Sequence, residues 1–511
     1  MTLKRQLIRA LLWQACIGLV SSSIVLRGGT IIGWNSTTES IDVIRNGTLV
    51  VTNSSITAVY AAGEEPDNIA ILSGNQTSPE VIDVTDKIIT PGFIDTHRHG
   101  WQTVYRTLGS NVSLWEYLGR YSSFSSEGRF TPDDVYISQL TGLYEALNAG
   151  VTTMLDHAHH TWSNETSKAG LQASIDSGAR VFWAHAFQDL QNYTIDEQIA
   201  NFKDIAKNAI FDGTPTTLGI AYDAFYSDKA DLIVSLTKEY NISALTTHFM
   251  AGPWDSGNDP ELLDRLGLLN TSVPVVISHG SYMSVKQYEL LRRTNQYISI
   301  TPESEMHYGH LHPTSHLALE QASLGIDAHF TYSTDILTQA RMWLQRVRAV
   351  FYATTSDAWQ IAMNNPMSVN QAFYLATRSG GLALRRPDLG IIAPGAKADL
   401  VVWDGTSPGL LGWVDPVAAV ILHASVADIE HVLVDGRFVK RNRVLTAPNY
   451  QAVKKRFLKS ARRIQDVMIN TPLPISEPGE KSIFGAPLEY APVADVERGD
   501  GTGYGPNWLS L

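Results

Sequence analysis

Short apolar runs set apart by helix-length intervals constrain this chain more than any other feature. One leads into His97; the others lie at 151–155, 181–184, 218–221, 244–247, 275–278, 298–301 and 330–333. Runs this short, without alternation, suit strands buried on both faces. Between most of them lies enough chain for a helix. The stretch 132–148 has helical periodicity, with Thr131 placed to cap it and Gly150 to stop it. The expectation is α/β: a (β/α)8 TIM-like barrel over residues 90–385.

The flanks have a different texture. Residues 24–89 read as short β-branched strands separated by Gly, Asn and Asp turns. The same texture returns over 386–445, where Asp435-Gly436 marks a hairpin turn. Two β-rich flanks around one large middle predict a composite β-sandwich domain built from the N- and C-terminal segments. Residues 446–511 read as a C-terminal helix, about 451–468, followed by an extended Pro- and Gly-rich tail.

Residues 1–23 read as a signal peptide: Lys4, Arg5 and Arg9, then an apolar run from Ala10 to Val20, then three serines. That run is too short to span a bilayer comfortably, so no stable membrane span is expected. Asn-X-Ser/Thr sequons at Asn35, Asn46, Asn53, Asn75, Asn111, Asn164, Asn192, Asn241 and Asn270 fit a secreted glycoprotein. The one cysteine, Cys16, excludes an intrachain disulfide and any cysteine-ligated zinc site. A net charge of −12 argues against nucleic acid as a partner. The basic residues Lys454, Lys455, Arg456, Arg462 and Arg463 read as a solvated helix face.

In such a barrel the chemistry sits at the C-terminal ends of the strands. There the polar residues are His97 and His99, Asp156 with His157, His159 and His160, then His185, His248, His279, Glu303, Glu305 and His307, and finally Asp335. His97 and His99 are two apart, so on a strand they share a side, about 6–7 Å apart at the backbone. Such a pair either hydrogen-bonds or shares a metal ion. Strand-end His248, His279 and Asp335 downstream favour the metal.

The segments PGFIDTHRH, TTH at 246–248, ISHG at 277–280 and YSTD at 332–335, with APGAKADLVVWD at 393–404 and VLVDGRFV, resemble the amidohydrolase superfamily. The branch they resemble holds the triazine hydrolases, chlorohydrolases and cytosine/adenosine-type deaminases. The resemblance covers about residues 24–445. It implies one divalent metal per chain, Zn2+ or Fe2+, bound by His97, His99, His248 and Asp335. Asp335 would also move protons, and His279 would act beside the metal and the substrate. The absence of a strand-end lysine in the bridging position argues against a carbamylated two-metal centre.

Deaminases of that branch carry a Glu three residues beyond the histidine matching His248; here the residue is Ala251. Glu303 and Glu305 are candidates for a replacement catalytic carboxylate, or else for salt-bridge or helix-capping roles. Trp101 and Gln102, which follow the HxH pair, are candidate substrate contacts. The expected function is a metal-dependent hydrolase using a metal-activated water on a small organic substrate, a cyclic amide or amidine among the candidates, at a C–N bond other than peptide. The alternatives are a metal-dependent lyase or isomerase, or a non-catalytic binding protein on the same barrel. A homo-oligomer is compatible with the sequence. An H-E-x-x-H motif is absent, which excludes a zincin.

Overall fold

The computed structural model describes residues 23–66, 78–310 and 315–491. The signal-peptide segment up to residue 22, Cys16, the sequon at Asn75 and the end of the tail lie outside the described residues. Strands β1 (Ser23–Asn35), β2 (Ser40–Thr52), β3 (Ser55–Tyr60), β4 (Glu80–Asp83) and β5 (Ile88–Pro91) come from the N-terminal flank. The barrel strands are β6 (Phe93–Arg98), β7 (Val151–Ala158), β8 (Arg180–Phe187), β9 (Thr217–Tyr222), β10 (Leu245–Met250), β11 (Val275–Ser281), β12 (Tyr297–Ile300) and β13 (Ala322–Leu324). The C-terminal flank adds β14 (Leu400–Trp403), β15 (Ile429–Val434), β16 (Arg437–Arg441) and β17 (Val444–Leu445).

β6 to β13 form one parallel sheet in chain order. Its two ends approach closure: Thr96 Oγ1 lies 3.0 Å from the Leu324 carbonyl, and Ile326 N–H donates to the His97 carbonyl at 2.9 Å. Every residue of β6, β7 and β8 is buried, which is why these strands read as apolar runs without alternation. The helix Pro132–Asn148 starts where expected, with the Thr131 hydroxyl accepting from Asp134 N–H and the Asp134 carboxylate accepting in return.

The last barrel strand departs from expectation. Residues 330–333 form turns, and β13 takes only Ala322, Ser323 and Leu324. Small residues and a following glycine give β13 little local strand signal. Phe330, whose neighbours mimic a strand pattern, packs instead against Tyr105 and Tyr121.

The two flanks join in a single nine-stranded mixed sheet, where β14 pairs antiparallel with β5. Its strands have two apolar faces. Ile31, Ile89, Leu400, Val402 and Leu433 turn into the flank's own core, while Ile32, Ile88, Val401, Trp403 and Val432 join the barrel's core. The period-2 alternation thus divides each strand between two cores. Asp435 and Gly436 both have positive φ, 52° and 74°, at the tight turn joining β15 to β16. The buried Arg180 guanidinium ties barrel to sheet, with Nε 2.7 Å and Nη2 3.1 Å from the two Asp399 oxygens and Nη2 2.9 Å from Asp435 Oδ1.

The C-terminal helix runs Tyr450–Ile469. Its basic residues stay exposed, yet Arg456 and Arg463 pair with Asp133 and Asp134, so this face docks on the helix Pro132–Asn148. No helix among the described residues is long and apolar enough to cross a membrane.

Candidate metal centre

His97 and His99 lie at the end of β6, His248 on β10, the fifth barrel strand, and Asp327 just beyond β13, the eighth. One ligand atom from each falls within 4.8 Å of the others. Asp327 Oδ1 lies 3.3 Å from His97 Nε2 and 3.1 Å from His99 Nε2. The ligand set expected from the motifs therefore needs one correction, because the carboxylate of this group is Asp327, not Asp335. Asp335 caps the helix Ile336–Asp357, accepting from Leu337 N–H at 2.9 Å and from the Thr338 hydroxyl at 3.0 Å. The displacement follows from the mislocated last strand, since the carboxylate belongs three residues after Leu324.

The three imidazoles share one orientation. His97 Nδ1 meets Ser278 Oγ at 2.8 Å, His99 Nδ1 meets the His157 carbonyl at 3.0 Å, and His248 Nδ1 meets Asp223 Oδ2 at 3.0 Å. With each Nδ1 engaged outward, Nε2 is the nitrogen left for the centre. Among the described residues, His97 Nε2 is buried without a hydrogen-bond partner. Burial holds the His97 imidazole well below its usual pKa, so the ring is neutral, as a ligand must be. Burial works to raise Asp327, but His97 and His99 beside it carry its carboxyl well below the ordinary range. Three imidazole nitrogens and one carboxylate converging in this setting fit a divalent cation of the zinc type.

Close packing keeps this geometry. A Cβ on Gly325 would stand 2.5 Å from Ser299 Oγ and 2.9 Å from His97 Cβ. His159 stacks on His99 with ring centres 3.9 Å apart, and Trp101 Nε1–H donates to His159 Nδ1 at 2.8 Å. Trp101 is fully buried and supports the centre through His159. Gln102 is also buried, donating to the Tyr117 hydroxyl at 2.9 Å and the Tyr121 carbonyl at 3.1 Å.

His279, at the end of β11, has its ring centre 5.3 Å from that of His97 and 5.6 Å from that of His248. Its Nδ1 lies 2.9 Å from Thr301 Oγ1 and 3.5 Å from Glu305 Oε1. Glu305 is fully buried and accepts from Thr301 N–H at 2.8 Å. It stands behind His279, not among the ligands. Glu303 exchanges hydrogen bonds with Gln339, donating its own N–H and accepting from Nε2, both at 2.9 Å. Burial raises the Glu303 carboxyl to about 7, with Asp335 nearby adding to the shift.

Asp223, just past β9, had no sequence signal beyond its place after an apolar run. Its Oδ1 accepts from His248 N–H at 2.7 Å, while its Oδ2 lies 3.2 Å from His157 Nε2. Burial opposes a rise in the His248 pKa, but the Asp223 carboxylate outweighs it and the pKa is raised. The Asp223 side chain is 42% exposed. A surface hollow lined by Tyr240, Leu245, Leu268 and Val275 opens at the opposite ends of β10 and β11, away from the imidazoles.

Residues 88–439 match the model of the amidohydrolase family. The chain is 24% identical over 459 residues to a 5-methylthioadenosine/S-adenosylhomocysteine deaminase of Desulforamulus reducens, covering 86% of this chain and 99% of the relative. A deaminase of the same name from Pyrococcus horikoshii is 27% identical over 407 residues, covering 75% and 90%. In fold, the chain is similar to an adenosine deaminase from Xanthomonas campestris with bound zinc (TM-score 0.73, 17% identity, covering 88% and 99%). It is likewise similar to a zinc complex of atrazine chlorohydrolase from Arthrobacter aurescens (TM-score 0.69, 18% identity, covering 86% and 100%).

Proposed function

This chain belongs to the amidohydrolase family, and on that footing we propose that it hydrolyses a C–N bond, other than a peptide bond, in a small cyclic amide or amidine. The observation that carries the reading is the convergence of His97, His99, His248 and Asp327 with every Nδ1 turned away from the centre. The metal favoured is Zn2+, with Fe2+ the alternative; the donor set and the bound zinc named for two structural neighbours support zinc.

A divalent cation in this group supplies a Lewis acid that brings the ionisation of a water toward neutral pH. The protein's residues do the rest. Asp327 is the carboxylate placed to take up the water's proton and hand it to the leaving nitrogen. His279, held through Nδ1 by Thr301 with Glu305 behind, turns Nε2 toward the centre, where it polarises the bond under attack. Ala251 stands three residues beyond His248, where the resemblance implies a glutamate in deaminases, and a methyl moves no proton. The proton on the leaving nitrogen is therefore assigned to Asp327 with His279.

The test is a panel of cyclic amidines, amides and lactones run with the zinc-loaded protein in 18O-water. The reading expects ammonia or amine release with one solvent oxygen in the product. Conversion with no solvent oxygen incorporated would instead assign a lyase or isomerase.

The secretory reading is carried forward as part of the proposal. Among the sequons on described residues, Asn46, Asn53, Asn111, Asn164, Asn192, Asn241 and Asn270 are exposed, and Asn35 is partly so. Glycans on a secreted form would fall in mass on endoglycosidase treatment; an unchanged mass would contradict it.

A further inference from the structure

The C-terminal segment beyond the helix Tyr450–Ile469 is anchored at two separate places on the barrel. It leaves the helix Tyr450–Ile469, which is fixed beside the HxH strand: Gln465 Nε2 donates to the Val104 carbonyl at 2.8 Å, and Ser460 Oγ to Asp134 Oδ1 at 2.5 Å. Arg120 then holds the Ile469 carbonyl at 3.2 Å, and Arg129 meets Thr471 Oγ1 at 3.1 Å. Pro474 sits against Gly119, where a Cβ would come within 2.7 Å of its ring. Trp115 Nε1–H donates to Ser476 Oγ at 3.1 Å. All these partners lie in the excursion between β6 and β7, above the first barrel strand.

The far anchor is on the other side of the barrel. Residues 479–488 fold back in a tight turn, with Gly479 N–H on the Leu488 carbonyl at 2.9 Å and Ser482 N–H on the Ala486 carbonyl at 2.8 Å. Phe484 lies at its tip and packs edge-on against Trp254, ring centres 5.8 Å apart. Trp254 follows β10. The first and fifth strands of an eight-strand barrel face each other across its axis, so a segment anchored above both spans the mouth. The eight steps from Ser476 to Phe484 reach at most about 28 Å, enough for such a span. From Phe484 the contacts continue inward: Trp254 to His310 at 6.2 Å, and His310 to His279 at 4.7 Å between ring centres. Phe484, Leu473 and Trp254 pack on the aromatic cluster that includes Trp101, Tyr117 and Tyr308. The whole segment lies beyond residue 439, where the family match ends.

We infer that residues 471–488 are a strap over the barrel mouth, and that Phe484, packed from outside on Trp254 and through it on His310, holds the specificity-determining wall that limits the site to compact substrates. The substrate arm of this inference rests on the hydrolase reading; the access arm does not.

The experiment uses the full-length zinc-loaded protein and its Phe484→Ala, Phe484→Trp and Ile475→Ala forms. Ile475 is 90% exposed and serves as the control. Zinc loss to excess chelator should quicken several-fold in Phe484→Ala, slow in Phe484→Trp and stay unchanged in Ile475→Ala. In Phe484→Ala, kcat/KM for a cyclic amidine bearing a bulky ring substituent should rise relative to the unsubstituted ring. Equal zinc-loss rates in all four proteins would overturn the strap. A changed zinc-loss rate with no amidine turnover would keep the strap and reject the hydrolase reading. A changed rate with an unchanged substrate-size ratio would overturn the wall.

Discussion

His248 Nδ1 lies 3.0 Å from Asp223 Oδ2, and the same carboxylate takes the His248 backbone N–H at 2.7 Å on its other oxygen. One side chain thus fixes the ring orientation and the strand end of a single ligand. His248 needs this more than its fellows, being 22% exposed where His97 is fully buried and His99 nearly so. Asp223→Ala should lower zinc affinity by about 10–100-fold, the usual effect of losing the partner behind a metal-bound histidine. A competitive chelator titration reads this directly. An unchanged affinity would mean that β10 packing alone orients His248.

Barrel and sheet should be coupled through Arg180. Its guanidinium is held by Asp399 and Asp435, and the Arg180 and Asp399 side chains are only 5% and 4% exposed. Asp399→Ala removes its principal partner and leaves a buried cation, which costs about 3–5 kcal/mol in such settings. Urea unfolding should show that loss. A loss within about 0.5 kcal/mol, typical of surface changes, would show that Asp435 suffices.

Glu303 predicts a pH dependence of stability. Its carboxyl is raised to about 7 by burial, above the value near 4.5 of the free side chain. Between those two values the folded state holds a proton that the unfolded state has released, so Glu303 costs stability as pH rises. Above about 7 the cost is complete. Glu303→Gln keeps the shape and the Gln339 contact without that titration. The stability of Glu303→Gln relative to the parent should therefore grow from pH 4.5 to pH 7.5. A flat difference across that window would contradict the burial of this charge.

Much of this was legible in the sequence wherever a ligand directly follows a strong strand. THRH, TTH and ISH each place a histidine at the end of a β-branched run, and His97, His99, His248 and His279 converge as those motifs imply. The carboxylate was not legible, because β13 is three small or medium residues ended by Gly325. The stronger local pattern lies downstream, where Phe330 packs into the aromatic cluster instead of a sheet. The Leu324-Gly325-Ile326-Asp327 stretch held the only signal, an aspartate just past a short apolar run. Asp223 had still less, since no residue pattern distinguishes a carboxylate behind a histidine from one in a turn. Trp101, a candidate substrate contact by sequence, is fully buried and donates to His159, a placement no local residue pattern signals.

The most direct test of the centre is metal content per chain in the purified parent, Asp327→Ala and Asp335→Ala, each dialysed against the same zinc buffer. The account predicts about one equivalent in the parent and in Asp335→Ala, and less than about a tenth in Asp327→Ala, which loses the one anionic ligand of the four. Zinc retained by Asp327→Ala and lost from Asp335→Ala would contradict it.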